Sequence, residues 1–213
     1  YLKCSVLYDF CRTIDNIADQ EGILEVKKKK FLNFRSSFNN KSYNDPVIKN
    51  MWNLINEYKI STKIVNDLLD GVESDLKKKV KITSQKDLLI YSYQVAGTVG
   101  LMMAKILNVE NKNALRSAID LGIAMQLTNI SRDVIEDAKS DRFYISHDFN
   151  SIKETLKLAD LFYESSFKSI KEIPLSLRFS ILVARRVYRQ IGYNILKKKN
   201  IENYNNSGKI FVN

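Results

Sequence analysis

Two stretches of this chain place carboxylates at helical spacing. In the first, Gln126, Asn129, Asp133 and Asp137 recur at intervals of three, four and four residues. On a helix that spacing stacks the side chains along one face. Ile123, Leu127, Ile130 and Val134 share the segment and give it apolar packing surface. Such a stripe taken alone fits a solvated face of an amphipathic helix. The second stretch changes the balance: Tyr8, Arg12, Asp15 and Asp19 are spaced four, three and four, and again two aspartates stand one helical turn apart. Arg132 adjoins Asp133 much as Arg12 precedes Asp15. If the two faces oppose each other in a bundle, they enclose an acidic pocket edged by guanidinium groups.

An acidic pocket repels a diphosphate unless hard divalent cations lie between them. Mg²⁺ takes oxygen ligands and bridges one or two carboxylates to substrate phosphates, with Mn²⁺ as the alternative metal. Arginine adds bidentate contacts to phosphate oxygens. Zinc is disfavoured, because His147 is the sole histidine and neither cysteine joins an acidic cluster.

The elements that must position these groups read as helices. The 213 residues include only seven Gly and two Pro, with 45% hydrophobic residues, which favours long unbroken helices around a substantial core. The net charge is 34 − 24 = +10. That suits nucleic acid, an anionic membrane or a polyanionic small molecule. No nucleic-acid motif accompanies it and acidic faces oppose nucleic acid, so no such partner is expected. Cys4 and Cys11 lie about 10 Å apart along a helix, too far for a disulfide, and the chain reads as reduced and cytoplasmic. No apolar run reaches the roughly 20 residues of a membrane span.

Helices are expected over Tyr1 to Asp19, Lys27 to Phe38, from Pro46, from Ser61 to about Leu76, from Ser84 to about Leu107, and from Asn111 or Asn113 through the central stripe. A loop is expected over Ala138 to Asn150, then helices over Ser151 to Ile170 and from Pro174 to the Lys197 run, and a ragged tail over Asn200 to Asn213. Asp67, Asp70, Glu73 and Asp75 read as a solvated helix face. Trp52 reads as core, and His147 as structural or exposed. No strand is expected.

The segments YDFCRTIDNIAD and QLTNISRDVIEDAKSDRFY resemble the two Asp-rich motifs of the squalene/phytoene synthase family, in the bacterial phytoene synthase style. Between them, YSYQVAGTVGLM resembles the small-residue helix that lines the family's prenyl cavity, and VARRVYRQIG resembles its last helix. The resemblance implies one all-α domain over residues 1–213 with the isoprenoid synthase fold, a single helical bundle around a central cavity. It implies a transferase that joins two prenyl diphosphates head to head with Mg²⁺; for the phytoene branch, geranylgeranyl diphosphate goes to phytoene without NADPH. By position it implies that Asp15, Asp19, Asp133 and Asp137, with Asn129, hold the metal. Tyr8, Arg12, Gln126, Asn129 and Arg132 contact the diphosphates or their metals. Tyr91, Val95, Ala96, Val99 and Gly100 line the tail cavity, with Tyr8 and Tyr91 steadying a carbocation, and Tyr188 sits near the diphosphate site. Gly97 and Gly100 are read as leaving room for an isoprenoid chain, with close helix packing as the alternative.

Departures from the family pattern are visible. Asn16 stands where many members have a second aspartate, and Gln20 where an acid is common. Lys209 takes the place of an arginine in the tail. A leading segment with a Ser-Phe motif and a trailing Lys-rich stretch are not matched. Two rival readings remain: a squalene or presqualene diphosphate synthase acting on farnesyl diphosphate, and a catalytically silent relative serving as an assembly factor. The apolar product suggests peripheral contact with the inner membrane face through basic residues and an apolar rim. The sequence says nothing of oligomeric state.

Overall fold

The structure, a computed structural model, describes residues 2–20 and 22–212. Tyr1, the expected start of the first helix, lies outside them. Helix α1 (Leu2–Asp19) buries Leu7, Phe10, Ile14 and Ala18 and so turns Asp15 and Asp19 toward a neighbouring edge. Helix α2 (Leu24–Asn39) contributes Phe31, Phe34 and Phe38. Helix α3 (Pro46–Glu57) opens on Asp45, whose carboxylate accepts from the Val47 and Ile48 amides, with proline in the first turn where its missing N–H costs nothing. Helix α4 (Thr62–Ser74) is capped by Ser61, as expected. These four helices close one apolar cluster. At its centre, the Phe10 ring lies 5.7 Å from that of Phe34 and 5.5 Å from that of Phe38. Trp52 is buried there, and its indole N–H donates to the Phe38 carbonyl at 2.9 Å.

The helix expected from Ser84 to Leu107 is three pieces: α5 (Gln85–Ser92), a π-helical turn (Tyr93–Gly97) and α6 (Thr98–Ile106). The wide turn loosens the backbone where α4 crosses it. A Cβ on Gly71 would stand 2.8 Å from both Gln94 Cβ and Val95 Cγ1. Helix α7 (Lys112–Arg132) runs through the middle, capped by Asn111, and buries Ile123, Ala124, Leu127, Thr128 and Ile130. Its backbone touches the preceding strip directly: a Cβ on Gly122 would lie 2.4 Å from the Ala96 carbonyl oxygen, and one on Gly100 2.3 Å from that of Ala118.

The central stripe is expected on one helix, and the structure corrects this. α7 stops at Arg132, and α8 (Val134–Lys139) restarts after Asp133. Asp133 leaves helical geometry at φ −106° and ψ 16°. The four-residue ladder still carries across, since the Asp133 amide donates to Asn129 and the Asp137 amide to the Asp133 carbonyl. The stripe therefore keeps its register while the axis turns.

Two further expectations are corrected. The expected loop over 138–150 contains β2 (Arg142–Phe143), which pairs in parallel with β1 (Val80–Lys81). The pairing is too short for alternation to show in a window of residues. After α9 (Phe149–Phe167) and α10 (Leu175–Leu196), the expected ragged tail is ordered: α11 (Ile201–Asn205) is capped by Asn200, and Tyr204 and Ile210 are buried against α8, α9 and α10. The Tyr204 hydroxyl faces the carbonyls of Ser131 at 3.0 Å and Arg132 at 2.8 Å. Those are the groups that a helix end leaves unpaired, so the tail supports the break at Asp133.

Candidate active site

The break, the π turn and the short strand pair meet at one cavity of about 280 Å³. α1 supplies Asp15 and Asp19, and the end of α4 supplies Asp75. Tyr91 comes from α5, and Val95 from the π turn. α7 brings Gln126, Asn129 and Arg132, followed by Asp133 at the break and Asp137 on α8. Arg142 and Tyr144 complete the wall. The two acid stripes thus share one cleft.

Five carboxylates line this space, and they are not equally compensated. Asp133 is held by Arg132, whose Nε and Nη2 donate to its two oxygens at 2.8 and 2.6 Å. Asp19 accepts from Arg142 at 2.9 Å. Asp75 accepts from the Tyr91 hydroxyl at 2.7 Å and the Tyr144 hydroxyl at 2.8 Å. Those two rings stack 4.7 Å apart, with their hydroxyls 3.0 Å from each other. Burial raises the Asp75 carboxyl above the usual carboxylate range, although the two tyrosine hydrogen bonds and Arg142 oppose the rise.

Asp15 and Asp137 have no such partners: among the described residues neither carboxylate accepts a hydrogen bond or joins an ion pair. Desolvation and then the neighbouring Asp133 push Asp137 up to about 7. Desolvation and then Asp19 push Asp15 up to about 6, against the pull of Arg12 and Arg142. One more group is unsatisfied: Asn129 Oδ1 is buried with no hydrogen-bond partner. A buried acceptor left unpaired is costly and uncommon.

This donor set fits a hard divalent cation. It consists of carboxylate and amide oxygens, and an orphaned carbonyl oxygen and two strained carboxylates gain from a positive charge. Among the described residues no three acidic, histidine or cysteine side chains converge into a ready cage. Separation of that kind suits an ion that keeps several waters and takes one or two carboxylates plus phosphate oxygens.

Of the residues singled out from the sequence, Asp15, Asp19, Tyr91, Val95, Gln126, Asn129, Arg132, Asp133 and Asp137 line the cavity. Tyr8 is 64% exposed and Arg12 is also exposed, both outside it; Arg12 reaches the site only as a charge acting on Asp15. Val99 packs against the apolar cluster of α1 to α4, and Tyr188 against the buried apolar residues of α7 and α9. Ala96 and Gly100 are accounted for by backbone contact with α7. Tyr91 is buried and stacked on Tyr144, so its hydroxyl and one ring face are already engaged.

Sequence reasoning missed Asp75, Arg142 and Tyr144. Asp75 is grouped from sequence with a solvated face, and that reading holds for Asp70 and Glu73, which pair with Arg35 and stay half-exposed; Asp67 is mostly covered, paired with Lys63 and hydrogen-bonded by the Tyr93 hydroxyl. Asp75 lies beyond the last turn of α4 and points the other way. For Arg142 and Tyr144 a signal was present. Residues two apart on an extended segment share a face, and Arg-Phe-Tyr places the cation and the phenol on one side, with Phe143 under Lys79 on the other. Lys209, in doubt from sequence, lies 2.8 Å from Glu136 and 3.6 Å from Asp133.

The two raised carboxylates make a pH prediction. Their folded pKa values, about 6 for Asp15 and about 7 for Asp137, lie above the unfolded value of 3.8. The native state therefore binds more protons between these limits, so their contribution to stability is largest in acid and is lost as pH rises through the folded values. With allowance for the partial exposure of Asp15, the metal-free protein is expected to melt about 3 °C lower at pH 8 than these groups permit at pH 5. Thermal scans across that range check it, and the slope is expected to flatten in Asp137→Asn.

Helices enclosing an acidic cleft are the hallmark of the all-α isoprenoid synthase fold, and solved structures agree. A dehydrosqualene synthase in complex with ligand superposes with a TM-score of 0.74 at 28% identity, over 96% of this chain and 80% of that one. A squalene synthase from Alicyclobacillus acidocaldarius gives 0.77 at 16% identity, over 91% and 81%, a likeness of fold alone. The squalene/phytoene synthase family model matches residues 3–161, and the chain belongs to that family. It is 29% identical over 224 residues to a phytoene synthase of Pseudescherichia vulneris, covering 89% of this chain and 72% of the relative. It is 38% identical over 149 residues to a 15-cis-phytoene synthase of a Paracoccus species, covering 62% of this chain and 49% of the relative. The chain thus spans between about half and three quarters of these relatives' lengths. Among the described residues no helix is long and apolar enough to cross a membrane.

Proposed function

We propose that the chain is a prenyltransferase that joins two geranylgeranyl diphosphates head to head to give phytoene, with release of diphosphate. The observation that carries this reading is the pairing of two acid stripes across one cleft around the unpartnered Asn129 Oδ1. Asp15, Asp19, Asn129, Asp133 and Asp137 would hold Mg²⁺ or Mn²⁺, which when bound neutralises diphosphate and makes it a better leaving group. Arg132 lies at the cleft and would offer the donors not engaged with Asp133 to phosphate oxygens. Gln126, six residues earlier on α7, would orient the same group. Tyr91 and Tyr144, fixed by Asp75, form an aromatic wall that resists water beside the developing allylic cation.

In the first half-reaction one substrate loses diphosphate, the double bond of the other forms the new carbon–carbon bond, and a proton leaves to give a cyclopropylcarbinyl diphosphate. In the second, that diphosphate departs, the skeleton rearranges, and a further proton loss gives phytoene. The names of the relatives favour geranylgeranyl diphosphate. The ligand-bound dehydrosqualene synthase gives the farnesyl alternative its support. Incubation with Mg²⁺ and each prenyl diphosphate, with and without NADPH, separates the two. Phytoene from the C20 substrate without NADPH is expected. A squalene-type product from farnesyl diphosphate alone would move the assignment to the alternative, and no product from either would overturn both.

Peripheral membrane contact is part of the same proposal. Leu175, Phe179, Val183 and Val187 recur every four residues along α10 and are all exposed, and Arg186 beside them is exposed too. Flotation with anionic liposomes at low salt is the check, and absence of association there would sink it.

A further inference from the structure

We propose that Arg142 is a placeholder cation: it occupies the acid stripe of α1 at Asp19 until a divalent metal displaces it, and it then turns to the diphosphate. The inference rests on the metal–diphosphate reading of the cleft. Three features of the structure carry it.

Of the two cations that line the cavity among the described residues, Arg142 is the one held by a single hydrogen bond. Arg132 is committed to Asp133 through both oxygens, Lys209 to Glu136, and Arg12 is exposed outside the cavity. Arg142 instead acts as a charge on Asp15, Asp75 and Asp137 while touching Asp19.

Its backbone is pinned, and its tip is held by one hydrogen bond to Asp19. The Val80 amide donates to the Asp141 carbonyl and the Ile82 amide to the Phe143 carbonyl, at 2.9 and 3.0 Å, bracketing Arg142 within the strand pair. Tyr144, two residues on and facing the same way, is locked to Asp75. A long side chain hung from such a mount can pivot without moving the wall.

The contact it makes is weak enough to exchange. Nη1 gives one hydrogen bond to Asp19, whose side chain is 62% exposed, whereas Arg132 grips Asp133 with a fork. Single contacts to exposed carboxylates contribute little. A doubly charged ion competes for the same oxygen successfully, and the freed guanidinium then meets phosphate oxygens, its preferred partners.

The test measures binding rather than turnover. Titration of the substrate-free protein with Mn²⁺, followed by electron paramagnetic resonance, reads the first effect. Calorimetric titration with inorganic diphosphate in saturating Mg²⁺ reads the second. Arg142→Gln is expected to bind Mn²⁺ about tenfold more tightly, because a competing charge has gone. It is expected to bind diphosphate about tenfold more weakly, for want of a charged donor. Arg142→Lys, with a single-point contact, is expected to shift both in the same senses by about threefold, and it carries the test if the glutamine variant does not fold. A merely structural role would weaken both. Unchanged or weakened Mn²⁺ binding in both variants would overturn the placeholder role and leave the proposed function standing. A parent protein that binds no Mn²⁺ would overturn the two together.

Discussion

Asp137→Asn is expected to yield a protein that is more stable than its parent and nearly inactive. The carboxylate at this position has no hydrogen bond or ion pair among the described residues and is pushed up to about 7 by burial first and Asp133 second. At pH 8 the folded chain therefore holds a charge that its surroundings oppose, and the unfolded chain does not. Replacing it by a neutral isostere removes that opposition. A rise in melting temperature of about 3 °C at pH 8 is expected, shrinking as the pH falls toward the unfolded value of 3.8, where the carboxyl is protonated in both states. Turnover with Mg²⁺ and prenyl diphosphate is expected to fall about a thousandfold, the usual scale for losing one preorganised electrostatic contact at a developing charge.

The two halves of that outcome inform each other. A residue kept for packing gives lower stability when removed, and one kept for solubility gives no change in rate. Gain of stability with loss of rate is the mark of a group whose strain serves a ligand. Asp133 is a poorer probe, since its bidentate link to Arg132 and its place at the helix break mix structural loss with chemical loss. Near-normal turnover in Asp137→Asn would refute the metal-holding role, whatever the melting temperature did.

What the sequence revealed and what it hid follow from the range over which each feature is determined. Helix starts were legible because they are local. Ser61, Ser84 and Pro46 act within three residues of themselves and stand where they are read, and Asn111 is the one of its two candidates that caps α7. The acid stripes were legible for the same reason, because helical periodicity fixes which side chains share a face. The break at Asp133 was not, because its support comes from Tyr204, some seventy residues later in the chain. Asp75 was misread because its partners, Tyr91 and Tyr144, come from two other segments. Nothing within a turn of Asp75 distinguishes it from Asp70 or Glu73. The long-range parts of this site are thus the parts that periodicity could not supply.

Gly100→Ala is the second large effect expected, and it decides how the small residues of the YSYQVAGTVGLM segment are used. Were Gly100 kept to leave space for a prenyl tail, a methyl group would fit at little cost in stability and the site would favour a shorter chain. The geometry says otherwise. The added Cβ would lie 2.3 Å from the Ala118 carbonyl oxygen and 3.1 Å from its carbon, both backbone atoms of α7 that no rotamer change can move. The helices would have to part, at a cost of about 3 kcal/mol in urea unfolding, the upper end for overpacking. Gly97→Ala is the internal control. Its Cβ would meet Tyr93 Cδ2 at 3.0 Å and Ile119 Cγ2 at 3.2 Å, side-chain atoms that can yield. Its packing cost of about 1 kcal/mol is offset by a similar gain in helix propensity, so near-neutral stability is expected. Because α7 carries Gln126 and Asn129, displacing it at Ala118 is also expected to depress turnover in the Gly100 variant but not in the Gly97 one. Equal stability of the two variants, with a shorter product from Gly100→Ala, would restore the cavity reading and remove close packing as the reason for the glycine.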